Sequence, residues 1–284
     1  MGTVFSPSAP RLRDSTAYKV LKCAGCGHQQ LSPLPLPSED DEFYDADRQQ
    51  ANIGQTVDLN TIDALLADDT ERRIRLICER AAKGRLLDVG SGYGLFLKRA
   101  LDHGFAAAGI EVSSDRIDFA RQLTAGPIHR VDIRNHDGSL GRFEAVTAFH
   151  VLEHVIEPIP FLSALQQLLA PGGSLFVEVP SAADMMLEAS TPYREFWWQR
   201  AHVSYFTPDS LRAVLSRAGY ANVEILGVQR YGIENMMHWL EHGKPQLDAP
   251  SYHTTGPYRW LEIQYKETLE RRLRSDTVIA IARR

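Results

Sequence analysis

The fold of this 284-residue chain is decided by the stretch Leu86-Leu87-Asp88-Val89-Gly90-Ser91-Gly92-Tyr93-Gly94. A short, mostly apolar run leads directly into three glycines at alternate positions. Glycine lets a backbone turn sharply and lets a ligand approach without meeting a Cβ atom. The stretch therefore predicts a buried strand over 86–89, a tight glycine turn, and a helix that begins at Leu95.

Strands and helices alternate along the chain on both sides of this turn. Strands are predicted at 86–89, 106–110, 128–133, 145–149, 175–179, 223–228 and 277–281. Helices are predicted at 58–82 and 95–101, after a cap at Ser113 or Ser114, from Pro160 to a stop at Pro171, and from Pro208 to Gly219. This alternation indicates an α/β protein with a largely parallel sheet and helices on both faces.

Two long segments, 181–206 and 231–275, interrupt the alternation. Segments of this length in a compact fold usually carry function or extra helices. The first leaves the carboxyl end of a strand, where α/β proteins bind their ligands. We therefore interpret both as insertions on the ligand side of a main domain that spans residues 51–284.

Residues 1–50 do not share this pattern. We expect a loose tail over 1–15 and a small irregular unit over 16–50 that is not part of a sheet, with a short strand candidate at Tyr18–Leu21. The unit has prolines at Pro33, Pro35 and Pro37 and an acidic run at Glu39–Glu42. Cys23 and Cys26 form half of a structural zinc site, which needs four ligands. Because no second pair follows, we interpret the unit as a remnant of a zinc ribbon and assign no metal ligand.

The composition restricts the partners of the chain. It has 31 Lys and Arg against 36 Asp and Glu, a net charge of -5, whereas a nucleic-acid surface normally shows a basic excess. No apolar run reaches the roughly 20 residues that span a bilayer, and few cysteines suit a reducing cytosol. We expect a cytoplasmic protein that binds a small molecule, with no nucleic acid and no membrane partner. The oligomeric state stays open.

Two carboxylates indicate which ligand the glycine turn holds. The dinucleotide fingerprint G-x-G-x-x-G would need glycine at position 95, which is Leu95. Asp88 would repel a pyrophosphate, whose charge suits helix N-termini, but would attract an ammonium or sulfonium centre. Glu111 ends the next strand, where a carboxylate accepts the ribose hydroxyls. The pocket suits a positively charged nucleoside without phosphate, which is S-adenosylmethionine.

At this point the chain resembles the class I S-adenosylmethionine-dependent methyltransferases. The glycine turn and Glu111 carry the resemblance, together with Phe-His-Val-Leu-Glu-His-Val at 149–155 and Leu-Ala-Pro-Gly-Gly at 169–173. It covers roughly residues 60–284. It implies a Rossmann-like, seven-stranded, mostly parallel sheet that ends in an antiparallel hairpin.

The resemblance also implies which residues contact the cofactor S-adenosyl-L-methionine. Together with Asp88 they are Gly90, Ser91 and Gly92 for the methionine moiety, Tyr93 beside them, Glu111 for the ribose, Asp132 and Ile133 for adenine, and His150 below the sulfonium. His150 would offer its backbone carbonyl to the methionine ammonium group.

The stretch His202-Val203-Ser204-Tyr205-Phe206-Thr207-Pro208 resembles a subgroup with sugar and natural-product methyltransferases. A glutamate often precedes that histidine, and Ala201 in its place puts methylation of carbon in doubt. His154 and His202 are the catalytic candidates, because an imidazole can accept the proton of a hydroxyl near neutral pH. Of the two, His202 is expected to be the base. The alternatives are that His154 orders its loop through backbone hydrogen bonds and that His202 only precedes a helix.

Three aromatic residues surround His202 in the sequence. Trp197, Trp198 and Tyr205 are candidates for stacking on a ring-bearing acceptor. The alternative is that the tryptophans close a small core under the loop.

The sequence as a whole predicts methyl transfer from S-adenosylmethionine to a hydroxyl or carbon of a sugar or natural product. A nucleotide-cofactor oxidoreductase and a non-catalytic S-adenosylmethionine-binding module are the alternatives.

Overall fold

A computed structural model of the chain describes residues 5–9, 11–36, 59–136, 138–246, 252–254 and 256–284. The strands are β1 Phe5–Ala9, β2 Lys19–Cys23, β3 Gln29–Ser32, β4 Arg85–Val89, β5 Ala106–Ile110, β6 Ile128–His129, β7 Phe143–Phe149, β8 Leu169–Pro180, β9 Ser204–Tyr205, β10 Asn222–Val228 and β11 Thr277–Arg283. Seven of them form one sheet in the order β10-β11-β8-β7-β4-β5-β6. Its members from β8 to β6 are parallel, and β10 and β11 close it as an antiparallel hairpin. The predicted fold class is confirmed.

Helices cover both faces of this sheet. They are α1 Leu59–Arg80, α2 Leu95–Asp102, α3 Ser114–Leu123, α4 Pro158–Leu168, α5 Met186–Ala189, α6 Thr191–Trp197, α7 Pro208–Arg217, α8 Ile233–His242 and α9 Arg259–Arg271. The two predicted insertions carry extra helices, α5 and α6 in the first and α8 and α9 in the second. Among the described residues, no helix is both long and apolar enough to cross a membrane.

Local sequence signals set several helix ends. The Ser113 side chain accepts the backbone N–H of Arg116, so Ser113 is the cap of α3. Thr207 and Ser210 form a reciprocal capping box at the start of α7. α4 begins at Pro158, two residues before the predicted start at Pro160, because Pro158 already fits the first helical turn.

The sheet is buried on both faces, as a parallel sheet requires. Leu87, Val146 and Val177 pack on one side together with Leu162 and Leu211. The adjacent strand residues point the other way, and Leu86, Ala145 and Phe176 pack there against α1 and α2. The third predicted strand is shorter than expected: β6 has two residues, and residues 133–135 form a 3₁₀ turn instead.

The N-terminal residues form a second sheet, so the prediction of an irregular unit is wrong for residues 19–32. β1, β2 and β3 are antiparallel neighbours, and β3 pairs with β9 through Gln29–Tyr205 and Gln30–Ser204. β1 also replaces part of the expected tail. The pairing depends on a distant segment, which the local sequence does not show. Pro37 and the acidic run lie outside the described residues, and the domain boundary at residue 50 stays a prediction.

Candidate active site

The glycine turn lies at the carboxyl end of β4, beside the ends of β5 and β7. The backbone N–H groups of Gly90 and Ser91 both donate to the Ile110 carbonyl, at 2.8 and 2.9 Å. Gly90 and Gly92 have φ of +74° and +53°, which favours glycine. A Cβ on Gly90 would lie 2.4 Å from a methyl group of Val151, whereas a Cβ on Gly92 would meet nothing within 4 Å. The turn is thus held on one side and leaves open space beside Gly92.

Glu111 ties this turn to the end of β5. Its side chain is buried, and Oε2 accepts the backbone N–H of Gly92 at 2.8 Å. Oε1 accepts the backbone N–H groups of Val112 and Ser113, at 2.8 and 3.0 Å. The structure therefore brings Glu111 and Gly92 together, and their contact with a common ligand stays a prediction.

Asp88 is more deeply buried than the sequence suggested. It is 4% exposed, and its Oδ1 accepts the Thr147 hydroxyl at 2.7 Å. Burial raises the pKa of Asp88 to about 7, against the opposing effects of Thr147 and Arg73. At neutral pH this carboxyl is therefore only partly ionised, and a cationic group bound nearby would favour its charged form.

The residues predicted to flank adenine lie at the end of β6. Asp132 accepts the backbone N–H of Arg134 at 2.9 Å and pairs with its guanidinium, which lowers the pKa of this carboxyl. Ile133 is buried in the main core. The Tyr93 ring lies 5.2 Å from that of Phe119 on α3. The Ser91 side chain is also buried and packs against Gly109 of β5, where a Cβ atom would lie only 2.7 Å from the Ser91 hydroxyl oxygen.

His150 follows β7 with a φ of 55°, in the left-handed region that is uncommon outside glycine. Its backbone N–H donates to the Glu178 carbonyl at 2.8 Å. Its Nδ1 donates to Glu153 Oε1 at 3.2 Å, and its Nε2 lies 3.2 Å from Glu178 Oε1. Burial alone would lower the pKa of His150, but the two carboxylates outweigh it and raise the pKa.

The two candidate catalytic histidines are neighbours, with ring centroids 5.2 Å apart. His154 Nδ1 donates to the Ala201 carbonyl at 2.7 Å, so Nε2 is the basic nitrogen of the neutral ring. His202 differs, because Gln199 Nε2 lies 2.8 Å from its Nε2 and donates to it. Burial, together with nearby His154, lowers the pKa of His202 to about 3. His202 is therefore neutral and weakly basic.

Glu153 is a residue of this site that the sequence analysis did not select. It lies between the two histidines and His150, and its Oε1 is 3.9 Å from His154 Nε2. The only signal in the sequence was its position directly before His154 in the Leu152-Glu153-His154 part of the quoted motif. Motif spacing alone does not show that this side chain turns inward.

Two of the predicted acceptor-binding aromatic residues are buried. Trp198 and Tyr205 are 5% and 1% exposed and pack with Leu12, Val20 and Leu31 under the N-terminal sheet. Their contacts therefore agree with the alternative interpretation, in which these residues close a small core. They expose little surface that an acceptor could contact. Trp197 is partly buried beside them, with its ring 5.1 Å from Tyr205. A role of the three in acceptor binding stays a prediction.

Cys23 and Cys26 lie at the tip of the hairpin between β2 and β3, and neither is in a disulfide. The backbone N–H groups of Cys26 and Gly25 help to lower the pKa of Cys23. The His28 ring contacts Phe206 at 5.2 Å between centroids, and burial lowers its pKa to about 4. The prediction that no metal binds here stays a prediction.

The fold and this edge of the sheet define a nucleoside-binding α/β enzyme of the methyltransferase class. The residues fit S-adenosylmethionine: the space beside Gly92 would be filled by a side chain at that position, and Glu111 and Asp132 lie at the ends of the next two strands. Asp88 lies below, where a positive ligand favours its ionised form.

Comparison with known proteins agrees with this class. A family model described as a methyltransferase domain matches residues 61–225, more than half of the chain, and the chain belongs to this family. The predictions of an S-adenosylmethionine-dependent methyltransferase and of its cofactor are confirmed.

Two relatives show how far the similarity extends. The ubiquinone biosynthesis O-methyltransferase of Aromatoleum aromaticum is 26% identical over 206 residues, which are 66% of this chain and 86% of that protein. The human mitochondrial ubiquinone biosynthesis O-methyltransferase is 25% identical over 177 residues, 56% of this chain and 47% of the human protein. The match thus spans about half the length of the human relative.

Solved structures share the fold. A SAM-dependent methyltransferase from Archaeoglobus fulgidus superposes with a TM-score of 0.52 at 18% identity, covering 76% of this chain and 92% of that one. Phosphoethanolamine N-methyltransferase 2 of Haemonchus contortus superposes with a TM-score of 0.51 at 13% identity, covering 76% of this chain and 52% of that one. At these identities the likeness shows the fold alone.

Proposed function

We propose that the protein methylates a hydroxyl group of a small, ring-bearing acceptor, with His154 as the proton acceptor. The single observation that carries the proposal is the hydrogen bond from His154 Nδ1 to the Ala201 carbonyl, at 2.7 Å. It fixes the ring so that Nε2 is basic, at the edge of the sheet where the cofactor residues meet. The two relatives named as O-methyltransferases support oxygen as the methylated atom.

The proposed reaction requires little covalent chemistry from the protein. S-adenosylmethionine supplies a methyl group on a positively charged sulfur. The acceptor oxygen would attack this carbon in line while the carbon–sulfur bond breaks and S-adenosylhomocysteine leaves, so the protein contributes mainly orientation and exclusion of water. The hydroxyl proton passes to His154 Nε2, and a base of this kind contributes about 10²- to 10⁴-fold.

His202 fits a supporting role better than the role of the base. Its Nε2 already accepts the Gln199 amide, and its pKa of about 3 makes it a weak proton acceptor at neutral pH. Its ring packs edge-on against His154 and Tyr205. We therefore propose that His202 holds the His154 ring in place. This reverses the order of preference that the sequence alone gave to the two histidines.

The test combines a product assay with three variants. Labelled S-adenosylmethionine is incubated with catechols, phenols and simple glycosides, and the methylated atom is identified by mass spectrometry and NMR. His154→Ala should lower kcat by about 10²- to 10⁴-fold, and S-adenosylhomocysteine affinity should stay within about threefold. His202→Ala should lose less turnover, and His242→Ala is the control, because its side chain is 46% exposed on α8.

Three results would contradict the proposal. Methyl transfer only to nitrogen or carbon would refute the acceptor class. Full turnover in His154→Ala with loss in His202→Ala would assign the base to His202. If both variants stay fully active, the reaction needs no histidine base and proximity alone accounts for it.

A further inference from the structure

The mechanism above leaves Glu153 without a role, although its carboxylate lies at the centre of the site. It is 2% exposed, in the short turn after β7. One oxygen of Glu153 and one ring nitrogen each of His154 and His202 all lie within 4.8 Å of one another. A buried acid with no compensating contacts would be neutral, so the contacts of Glu153 decide what it can do.

Those contacts keep Glu153 ionised. Burial acts to raise its pKa, but the hydrogen bond from His150 and the nearby His154 reverse this and lower the pKa to about 2. Within the described structure, Oε2 is buried and has no hydrogen-bond partner. A fixed negative charge therefore faces the histidine pair over the whole neutral range of pH.

A network of polar side chains, which begins at His150, connects the Glu153 carboxylate to α1. His150 lies between Glu153 and Glu178, at 3.2 Å from each. Glu178 in turn pairs with Arg73 at 2.6 Å and with Arg72 at 3.0 Å, both on α1. These pairs lower the pKa of Glu178 well below its usual range, against its burial. The position of Glu153 is thus fixed by α1, β8 and the turn after β7.

We propose that Glu153 is the positioning residue for His154. Its carboxylate lies beside Nε2 of the ring and stabilises the imidazolium that forms when Nε2 accepts a proton. The proposal rests on the proposed function. The proton comes from the acceptor hydroxyl and ends on Nε2, 3.9 Å from Glu153 Oε1. In the neutral ring Nε2 carries no proton and makes no hydrogen bond to this oxygen, whereas protonation of Nε2 turns the contact into an ion pair.

Other charged groups face the same histidines and must be considered with Glu153. The pKa of His150 is raised by Glu153 and Glu178 against its burial, and His202, with a pKa of about 3, stays neutral beside His154. Arg13 of the N-terminal segment adds a weaker positive influence at His202. Among the described residues, Glu153 is the acidic side chain with an oxygen within 4.8 Å of a ring nitrogen of both histidines, and its removal should change the proton affinity of the base.

Glu153→Gln is the decisive variant, because it keeps the shape of the side chain and removes the charge. A carboxylate favours the charged form of a neighbouring imidazole. Without it, the base loses its proton at lower pH, so the acidic limb of kcat/KM should move to lower pH by about 0.5 to 1 unit. We expect kcat to fall by about 10- to 100-fold, whereas acceptor KM and S-adenosylhomocysteine affinity stay within about threefold.

Two further variants keep the test independent of folding. Glu153→Asp retains the charge on a shorter side chain, so its acidic limb should stay near that of the wild type even if kcat falls. Glu157→Gln is the matched control, since its side chain is 64% exposed in the same loop. It should change neither the rate nor the pH profile.

The outcomes separate this inference from the proposed function. A wild-type chain that methylates no hydroxyl refutes both. An active wild type with an unchanged pH profile in Glu153→Gln refutes only the role of Glu153. If the acidic limb of the pH profile moves as far in Glu153→Asp as in Glu153→Gln, the role of Glu153 is also refuted. Glu153→Asp keeps the charge, so loss of charge could not have caused the shift. Turnover that requires added magnesium or zinc and stops with EDTA would overturn it, because Glu153 would then hold a metal.

Discussion

Substitution of Gly92 by alanine tests directly whether the space beside the glycine turn belongs to the cofactor. Gly92 has a φ of +53°, and a Cβ built there meets no protein atom within 4 Å. Gly172, at the opposite end of the sheet, has a φ of +76° and equally open surroundings. The two glycines therefore share the same backbone constraint, and only Gly92 lies at the proposed site. Gly172→Ala is the matched control.

The expected magnitudes follow from this comparison. The left-handed conformation costs alanine about 1–2 kcal/mol, and the stiffer unfolded chain offsets about 0.4–1 kcal/mol. Both variants should thus lose about 1 kcal/mol of unfolding free energy. At Gly92 the added methyl group also enters the space of the ligand, and overpacking of this kind costs about 1–3 kcal/mol. This corresponds to a roughly 5- to 150-fold weaker Kd.

The assay is urea denaturation of both variants together with calorimetric titration of S-adenosylhomocysteine. We expect similar losses of stability in the two variants and weaker binding only in Gly92→Ala. Wild-type affinity in Gly92→Ala would refute the reasoning, because the open space would then not be occupied by the cofactor. Equal loss of affinity in Gly172→Ala would show that the effect is general destabilisation.

Three more predictions concern the remaining parts of the site. Glu111→Ala should weaken S-adenosylhomocysteine binding, measured by calorimetry, by about 1.5–3 kcal/mol, the scale for a lost charged hydrogen-bond partner. If the folded variant binds with wild-type affinity, the ribose contact lies elsewhere. Because the pKa of Asp88 is raised to about 7, its neutral form predominates below that pH, so S-adenosylmethionine should bind more tightly at pH 8 than at pH 6. The same raised pKa destabilises the folded chain as pH rises from about 4 to 7. Asp88→Asn should remove the pH dependence of binding in titrations and the pH dependence of stability in thermal melts. Metal analysis of the purified chain should find less than about half an equivalent of zinc, since Cys23 and Cys26 provide two of four ligands; a full equivalent that Cys23→Ser removes would contradict this.

The main sheet could be predicted from the sequence because its signals are local. Each strand from 86 to 281 is a short apolar run, and glycine, proline or a capping residue marks most turns between strand and helix. Seven strands form the sheet as expected, although β6 has only two residues and β8 begins at Leu169, where the sequence predicted the end of a helix. The sequence left two capping serines for α3, and the structure selects Ser113.

The second sheet could not be predicted, because its pairing joins segments far apart in the chain. β3 meets β9 at Gln29–Tyr205, and nothing near residue 29 indicates that partner. The same reason hid the role of Ala201: the sequence shows only that it replaces a frequent glutamate. Its carbonyl fixes the His154 ring from 47 residues away. The sequence predicted a buried strand over 86–89, but it did not show how far burial raises the pKa of Asp88, which was therefore expected to be charged.

The pairing of β3 with β9 has a consequence for how this enzyme can diversify. The residues predicted to bind the cofactor all belong to the main sheet and its turns. The segment around His202 is instead hydrogen-bonded to the N-terminal hairpin, where Leu31 N–H donates to the Val203 carbonyl at 2.9 Å. Exchanges or insertions in the hairpin would therefore reshape the acceptor side without disturbing the nucleoside side. Chimeras that carry the hairpin of a relative should keep their affinity for S-adenosylhomocysteine while their choice of acceptor changes.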